Sequence, residues 1–513
     1  MDYERFAEQA LELMRRNPDI VYGDIRMLLA GGREDLTAKN GVVENAARSE
    51  KSGFGIRVLS KKGAWGFASS AGLERSDPAL SDELCRTFRR ALALSAAGGR
   101  GRMSPLLLAP RETAPGRKVH YYESPCLEDP FAVPLEEKLA LLLKWDAAMA
   151  ESSKKLIVRK SAMGFWSNDV AFAAFERDFG SMLVRQLIRG GVMLVSATAG
   201  SDGEVQVMTP WGYDGKCFVG GYETVRATDV ESVARRAASE AEELLSADEC
   251  PEGEMDVIIM PDHLGLHVHE TCHGFEGDRF LGYEETYMGG TFLAKHLRDI
   301  GSYRFGSEHV NIVSDATMPD GYGSFAFDDE GTPGQSVHLV ESGVWNSVMT
   351  SRETAVQLNA LLGRPYFRGS NGAARASGFD RVPLVRMTNA SLAPGTFPLE
   401  ELVSRVKRGV LLTNTVSWSM SEDRKNFDFS LSLGRGIADG KLGRLLKHPG
   451  YTGDNSRFWQ SCDGIADRAH WAVVNFYLTC GKGLPGQSMS TGHGSSPALF
   501  RDVRVYNRKG RQE

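Results

Sequence analysis

The most constraining stretch of the chain runs from Met255 to Asp278, where an apolar run suited to a strand passes directly into a helix loaded with histidine. Met255-Asp256-Val257-Ile258-Ile259-Met260 reads as the strand, and Pro261-Asp262 supplies the helix start, because a first-turn proline gives up only an N–H that the helix leaves unused. His269 and His273 stand four residues apart, so on a helix both imidazoles share one face and can reach a single metal ion. Glu270 then sits beside the open coordination position. A carboxylate there can take a proton from a water that the ion has acidified to a pKa of about 7, which is the chemistry of a metal-dependent peptide hydrolase. The alternative is a surface helix rich in histidine with no ligand. The metal reading requires a third ligand from elsewhere, an ordered turn after His273 and a cleft.

A chain of 513 residues is too long for one hydrophobic core. Two domains are expected, 1–248 and 249–513, divided at the polar stretch Asp248-Glu249-Cys250-Pro251-Glu252-Gly253. A formal net charge of −6 without a basic block leaves no electrostatic footprint for direct nucleic-acid binding or an anionic membrane, and Arg100-Gly101-Arg102 reads as solvated loop charge. The N-terminus carries acid where a secretory signal carries base, and no apolar run approaches bilayer-spanning length, so the expected compartment is the cytoplasm. Seven scattered cysteines without a C-x-x-C pair argue against a disulfide framework and against a structural zinc knuckle. Most of them, Cys480 included, read from the residues alone as buried thiols.

The remaining periodicity predicts an α+β chain. A helix over Tyr3–Arg16 leads into an antiparallel meander with turns at Gly31-Gly32, Asn40-Gly41 and Lys61-Lys62-Gly63, covered by a helix that starts at Ser76-Asp77-Pro78. A loop follows from Gly99 to Pro134, then a helix from Leu135 to Ser152. Further strands are expected from Leu156 to Thr209 with turns near Ser167-Asn168-Asp169 and Ser201-Asp202-Gly203, and a helix from Asp229 to Ser246. The N-terminal domain is therefore an antiparallel sheet with covering helices. The C-terminal domain is sheet-rich and carries the HExxH helix, with short strands and turns, helices at Ser351–Leu362 and Leu399–Arg408, and strands again at Ala472–Cys480 and Leu499–Val505.

Many of these segments resemble one family, the TldD/PmbA proteins, zinc-dependent peptidases also called modulators of DNA gyrase. The resemblance runs almost end to end. It includes Gly53-Phe54-Gly55-Ile56-Arg57-Val58, Gly63-Ala64-Trp65-Gly66-Phe67-Ala68-Ser69, His269-Glu270 with His273-Gly274-Phe275-Glu276-Gly277-Asp278, and Tyr287-Met288-Gly289-Gly290. It continues through Phe327-Asp328-Asp329-Glu330-Gly331, Ser351-Arg352-Glu353-Thr354-Ala355, Arg386-Met387-Thr388-Asn389 and Cys480-Gly481-Lys482-Gly483. The resemblance implies that His269, His273 and Cys480 bind Zn²⁺ and that Glu270 is the general base. One departure stands out: the family motif is usually HExxxH, and here it is one residue shorter, which opens the ligand geometry to Cys272 or His267.

Other residues carry two readings each. Glu276 and Asp278 orient the histidines or simply end the helix, and His493 stabilises an oxyanion over the site or lies exposed in a Gly/Ser-rich loop. His263 and His267 read as structural or exposed, and Asp328-Asp329-Glu330-Gly331 as a turn that holds a substrate's amino terminus or caps a strand. Taken together, the expectation is a cytoplasmic zinc metallopeptidase acting on short or unfolded peptides inside a dimer cavity. The dimer is either a homodimer or a heterodimer with a metal-free paralogue. The rivals are a non-catalytic subunit and a gyrase-associated regulatory protein.

Overall fold

The computed structural model describes residues 2–98, 106–110, 119–284 and 289–511; Arg100-Gly101-Arg102, Tyr287 and Met288 lie outside the described residues. The first half is one large sheet with strand order Trp65–Ala71, Val42–Ser60, Ile20–Lys39, Leu156–Glu176, Gly180–Ser201 and Val119–Glu123. Side chains alternate between the two faces of a strand, and here one face is the core. Helices Tyr3–Arg16 and Asp77–Gly98 bury Phe6, Ala10, Leu80 and Leu84 against Ile25, Phe54 and Ile56 on that face. Helices Leu135–Ser152 and Val230–Leu245 bury Leu142, Trp145, Ala237 and Ala241 against Leu36, Phe165 and Val195.

Two expected turns prove to be strand. Gly31-Gly32 is a bulge inside Ile20–Lys39: Leu28 pairs with Gly53 but Gly31 pairs with Lys51, so the strand bends without reversing. A Cβ on Gly31 would lie 2.9 Å from Leu28 Cδ2, which is why glycine occupies the bend. Ser167-Asn168-Asp169 runs straight through Leu156–Glu176, because Gly32, Gly31 and Ala30 pair with it on one side and Arg189, Ile188 and Leu187 on the other. Two ladders outweigh local turn preference.

In the second half five strands close into a ring: Arg408–Met420, Gly253–Ile259, Ala498–Asn507, Pro449–Asp454 and Asn426–Ala438, which pairs back onto Arg408–Met420. The two longest strands of this ring occupy a region expected to hold short strands and turns. The helix expected over Leu399–Arg408 stops at Ser404, and Arg408 already belongs to the ring.

The expected HExxH helix requires a correction. The helix spans Pro261–Cys272, and His273 begins a separate 3₁₀ turn, His273–Phe275. The chain leaves the helical path because Met349 N–H donates to Phe275 O while Met349 O accepts from Gly277 N–H, each near 2.9 Å or shorter. A metal cluster in this domain is consequently not a one-helix motif but His269, His273 and Cys480, drawn from a helix, a turn and a distant strand.

The two halves meet in part on the face of the first sheet that, among the described residues, no helix covers. Arg26 donates to Gly378 O at 2.6 Å, and Phe379 rests on Gly53 and Gly55, where a Cβ on Gly55 would come 2.0 Å from Phe379 O. Gly55→Ala is expected to lift the Gly378–Arg381 segment from the sheet at a cost of about 1–3 kcal/mol. The check is limited proteolysis: faster cleavage within 376–381 with unchanged far-ultraviolet circular dichroism is the expected result.

Candidate functional site

Every residue of Pro261–Cys272 except Asp262 is buried, so each polar side chain on this helix needs a partner inside the protein. His263 and His267 point into the ring of strands. The Thr415 hydroxyl lies 2.8 Å from His263 Nδ1, Tyr451 OH is 2.9 Å from both His263 Nε2 and His267 Nδ1, and His267 Nε2 is 3.0 Å from Asn455 Oδ1. Phe458 stacks on the His267 ring with centroids 4.2 Å apart. Burial holds His267 down to a pKa of about 3, so it is a neutral hydrogen-bonding group. Neither His267 nor Cys272 enters the metal cluster; Cys272 lies in the apolar core, where burial raises its thiol.

His269 and His273 face the tail hairpin, Ala472–Lys482 paired with Gln487–Ser495. One donor atom from each of His269, His273 and Cys480 lies within 4.8 Å of the others, and His273 Nε2 is 3.6 Å from Cys480 Sγ. The tautomers follow from the partners. His493 Nδ1 lies 2.7 Å from Ala390 O, which only accepts, so Nδ1 carries the proton and Nε2 accepts. His269 Nδ1, 2.8 Å away, must then donate to His493 Nε2, leaving its own Nε2 lone pair free. His493 is fully buried rather than exposed in a loop, and burial and His269 hold it well below the usual histidine range.

Glu276 does for His273 what His493 does for His269. Its Oε2 accepts from His273 Nδ1 at 3.1 Å and from Arg279 Nε at 2.8 Å, again leaving Nε2 free. Burial pushes this carboxyl up, but Lys482, His273 and Arg279 outweigh it and hold it well below the usual carboxylate range. Asp278 is one bond further out, accepting from Lys482 Nζ at 2.8 Å. Cys480 is 2% exposed, and burial alone would raise its thiol; Arg386 Nη2, 3.1 Å from Sγ, together with His273, brings it down to about 7. Two imidazole lone pairs and a readily ionised thiol form a donor set suited to a borderline-soft divalent cation, with one tetrahedral position left over.

The expectation that Glu270 acts as general base on a zinc-bound water is corrected by this geometry. The cluster takes its third donor from Cys480, and Glu270 is not part of it. Both carboxylate oxygens are already committed: Oε1 accepts from Trp418 Nε1 at 2.8 Å and Oε2 from Arg424 Nη1 at 2.7 Å. Burial raises its pKa, but His269, Arg424, His273 and Trp418 prevail and lower it, which makes it a poor base. Arg386 was legible only as part of a family-like segment, and Arg424 and Trp418 carried no sequence signal. The Asp328 turn is not free for a substrate amine: Asp328 accepts from the N–H groups of Glu330, Thr332 and Ala374 at 2.8–3.1 Å.

Comparison with known proteins gives the family. A family model described as the PmbA/TldA metallopeptidase C-terminal domain matches residues 252–506, and one described as PmbA/TldA metallopeptidase domain 1 matches residues 30–95. A metalloprotease of Methanothermobacter thermautotrophicus is 28% identical over 505 residues, covering 96% of this chain and 97% of that one. A metalloprotease of Methanocaldococcus jannaschii is 26% identical over 476 residues, covering 92% and 94%. Among solved structures, a Thermotoga maritima protein whose name carries the words modulator of a DNA gyrase superposes with a TM-score of 0.73 at 17% identity, over 98% of this chain and 100% of that one. TldE from Thermococcus kodakarensis superposes with a TM-score of 0.68 at 15% identity, over 98% and 99%. With both its ends matched by the family's own domains and its relatives aligned along nearly their whole length, the chain belongs to the TldD/PmbA family of metallopeptidases.

Proposed function

We propose that this chain hydrolyses peptide bonds with a zinc ion held by His269 Nε2, His273 Nε2 and Cys480 Sγ. The observation that carries the reading is the convergence of these three donors within 4.8 Å, each backed by a partner that sets its protonation. Bound there, zinc supplies Lewis acidity toward a scissile carbonyl. The protein's own groups do the arranging. His493 and Glu276 fix the two ring rotations, Arg386 favours the ionised form of the thiol, and Arg424 with Trp418 anchors the Glu270 carboxylate beside the rings. Family membership and the names of the relatives support peptide cleavage as the activity. The same reading includes a dimer, formed with itself or with a related chain lacking the metal residues, and light scattering on the purified protein measures it directly.

Three outcomes test the proposal. Purified protein should hold one zinc per chain and cleave members of a mixed-peptide pool; Cys480→Ser should lose most of the metal and the cleavage together. A wild-type protein that is metal-free and inert after zinc is restored would sink the reading. Arg386→Met removes the cation beside Cys480 and should weaken zinc binding about 10–100-fold in a chelator competition. Glu270→Leu strands the buried Arg424 guanidinium and should cost about 3 kcal/mol in urea unfolding of metal-free protein, much of it regained by pairing the change with Arg424→Leu.

A further inference from the structure

The uncovered face of the first sheet holds a cavity of about 420 Å³ between the two halves, which touch around it where Gln186 Nε2 donates to Phe327 O at 3.0 Å. Its floor is set by alternation: Trp166, Asn168 and Val170 on one strand and Gln186 and Ile188 on the next line it, whereas Phe165 and Ala171 belong to the helix-covered core. Its roof includes Phe325 and Phe327 and four residues of the tail hairpin, Leu478, Ser488, Met489 and Ser490. Met489 is the register partner of Cys480.

Leu478 is the feature that singles out this cavity. Along Ala472–Lys482, Val474 lies against Gly265 and Phe476 against the His269 ring, so unbroken alternation would turn Leu478 to the same side. Instead the register slips between Phe476 and Cys480, and Leu478 takes φ +53°, a left-handed conformation unfavourable for an L-residue. The result is a large apolar side chain, 40% exposed, placed against the cavity two residues before a candidate metal ligand. Such strain concentrates at functional positions.

Three charged side chains of the wall, Arg26, Asp329 and Arg375, have partners within the protein, although Arg26 Nε has none among the described residues. Arg26 faces Asp329 at 3.4 Å, Asp329 Oδ2 also accepts from Ala376 N–H at 2.7 Å, and Arg375 donates to Ser490 O at 3.0 Å and to Met387 O. An occupant meets aromatic and aliphatic surface from Trp166, Val170, Ile188, Phe325 and Leu478, beside the polar Asn168 and Gln186. The mouth lies at Ser49, Glu50 and Lys51, just past the point where Trp65–Ala71 stops pairing at Gly53. Beyond that point, among the described residues, the strand offers an open edge to an extended backbone.

We infer that this cavity is a specificity site for a bulky apolar side chain of an extended peptide. The inference rests on the peptidase reading for its meaning, but it concerns binding and is tested apart from cleavage. Two dansyl-labelled peptides, Gly-Ala-Phe-Ala-Gly and Gly-Ala-Asp-Ala-Gly, are titrated into the full-length metal-free protein by fluorescence anisotropy. The phenylalanine peptide should bind at least about tenfold more tightly. Leu478→Asp on the roof and Ile188→Asp on the floor should each abolish that preference. Two variants from opposite walls separate loss of the site from a local disturbance at Cys480, and zinc content of the reloaded variants verifies that the cluster persists.

Equal affinity for the two peptides, or a preference untouched by both variants, overturns the inference. If the zinc-loaded protein cleaves nothing while the binding preference holds, the peptidase reading falls and the site stands. If it cleaves both peptides with equal kcat/KM and binds them equally, the site falls and the peptidase reading stands.

Discussion

A thiol as deeply buried as Cys480 ionises near neutrality only because a guanidinium is buried with it. The other cysteines of the second half show the alternative: burial pushes Cys250 and Cys462 up to about 12 and raises Cys272 as well. Arg386 makes the difference, and it also has a mechanical role. Its Nη1 donates to Gln487 O at 2.9 Å and its Nη2 to Cys480 O, so one side chain ties both strands of the tail hairpin to the segment Leu384–Asn389. The cation that prepares the sulfur thus also sets where the sulfur stands.

The site helix and the 3₁₀ turn that follows it divide their histidines between two jobs. His263 and His267 are four residues apart, as are His269 and His273. The second pair is displaced from the first by six residues, about 120° around a helix. One pair therefore faces the aromatic interior of the ring and the other faces the hairpin. The inner pair forms a hydrogen-bond relay with a single direction: Asn455 Nδ2 donates to Arg424 O at 2.7 Å, which makes Asn455 Oδ1 the acceptor for His267 Nε2–H. His267 Nδ1 then accepts from Tyr451, and Tyr451 accepts from His263 Nε2–H. Arg424, whose carbonyl accepts from Asn455 at the end of this relay, is the residue that clamps Glu270. The inner histidines thus support the far side of the site, although they touch none of the candidate ligands.

Much of this was legible from residues alone, and the failures have physical causes. The strand into Pro261, the Asn40-Gly41 turn and the covering helices were readable because each depends on local preference or on one periodicity. Gly31-Gly32 misled because glycine serves a bulge and a turn equally well, and only the partner strands choose between them. The end of the helix at Cys272 was invisible because the hydrogen bonds that divert the chain come from Met349. Cys480, Arg386 and Arg424 are separated from His273 by more than a hundred residues, so no spacing rule reaches them. The resemblance reached Cys480, but the commitment of Glu270 to Trp418 and Arg424 had to be seen.

The hairpin's approach to the helix depends on a residue with no chemistry of its own. Gly265 sits one turn before His269, and a Cβ there would lie 3.2 Å from Val474 Cβ and 3.5 Å from His493 Cβ. A larger side chain would hold the hairpin off by a few tenths of an ångström. Hydrogen bonds tolerate little of that at 2.8 Å, and the His493 to His269 bond is the one that fixes the ring facing the cluster. Gly265 costs the helix about 1 kcal/mol relative to alanine. Its presence mid-helix is explained by what packs across it: the helix gives up local stability so that two distant elements can share one set of donors.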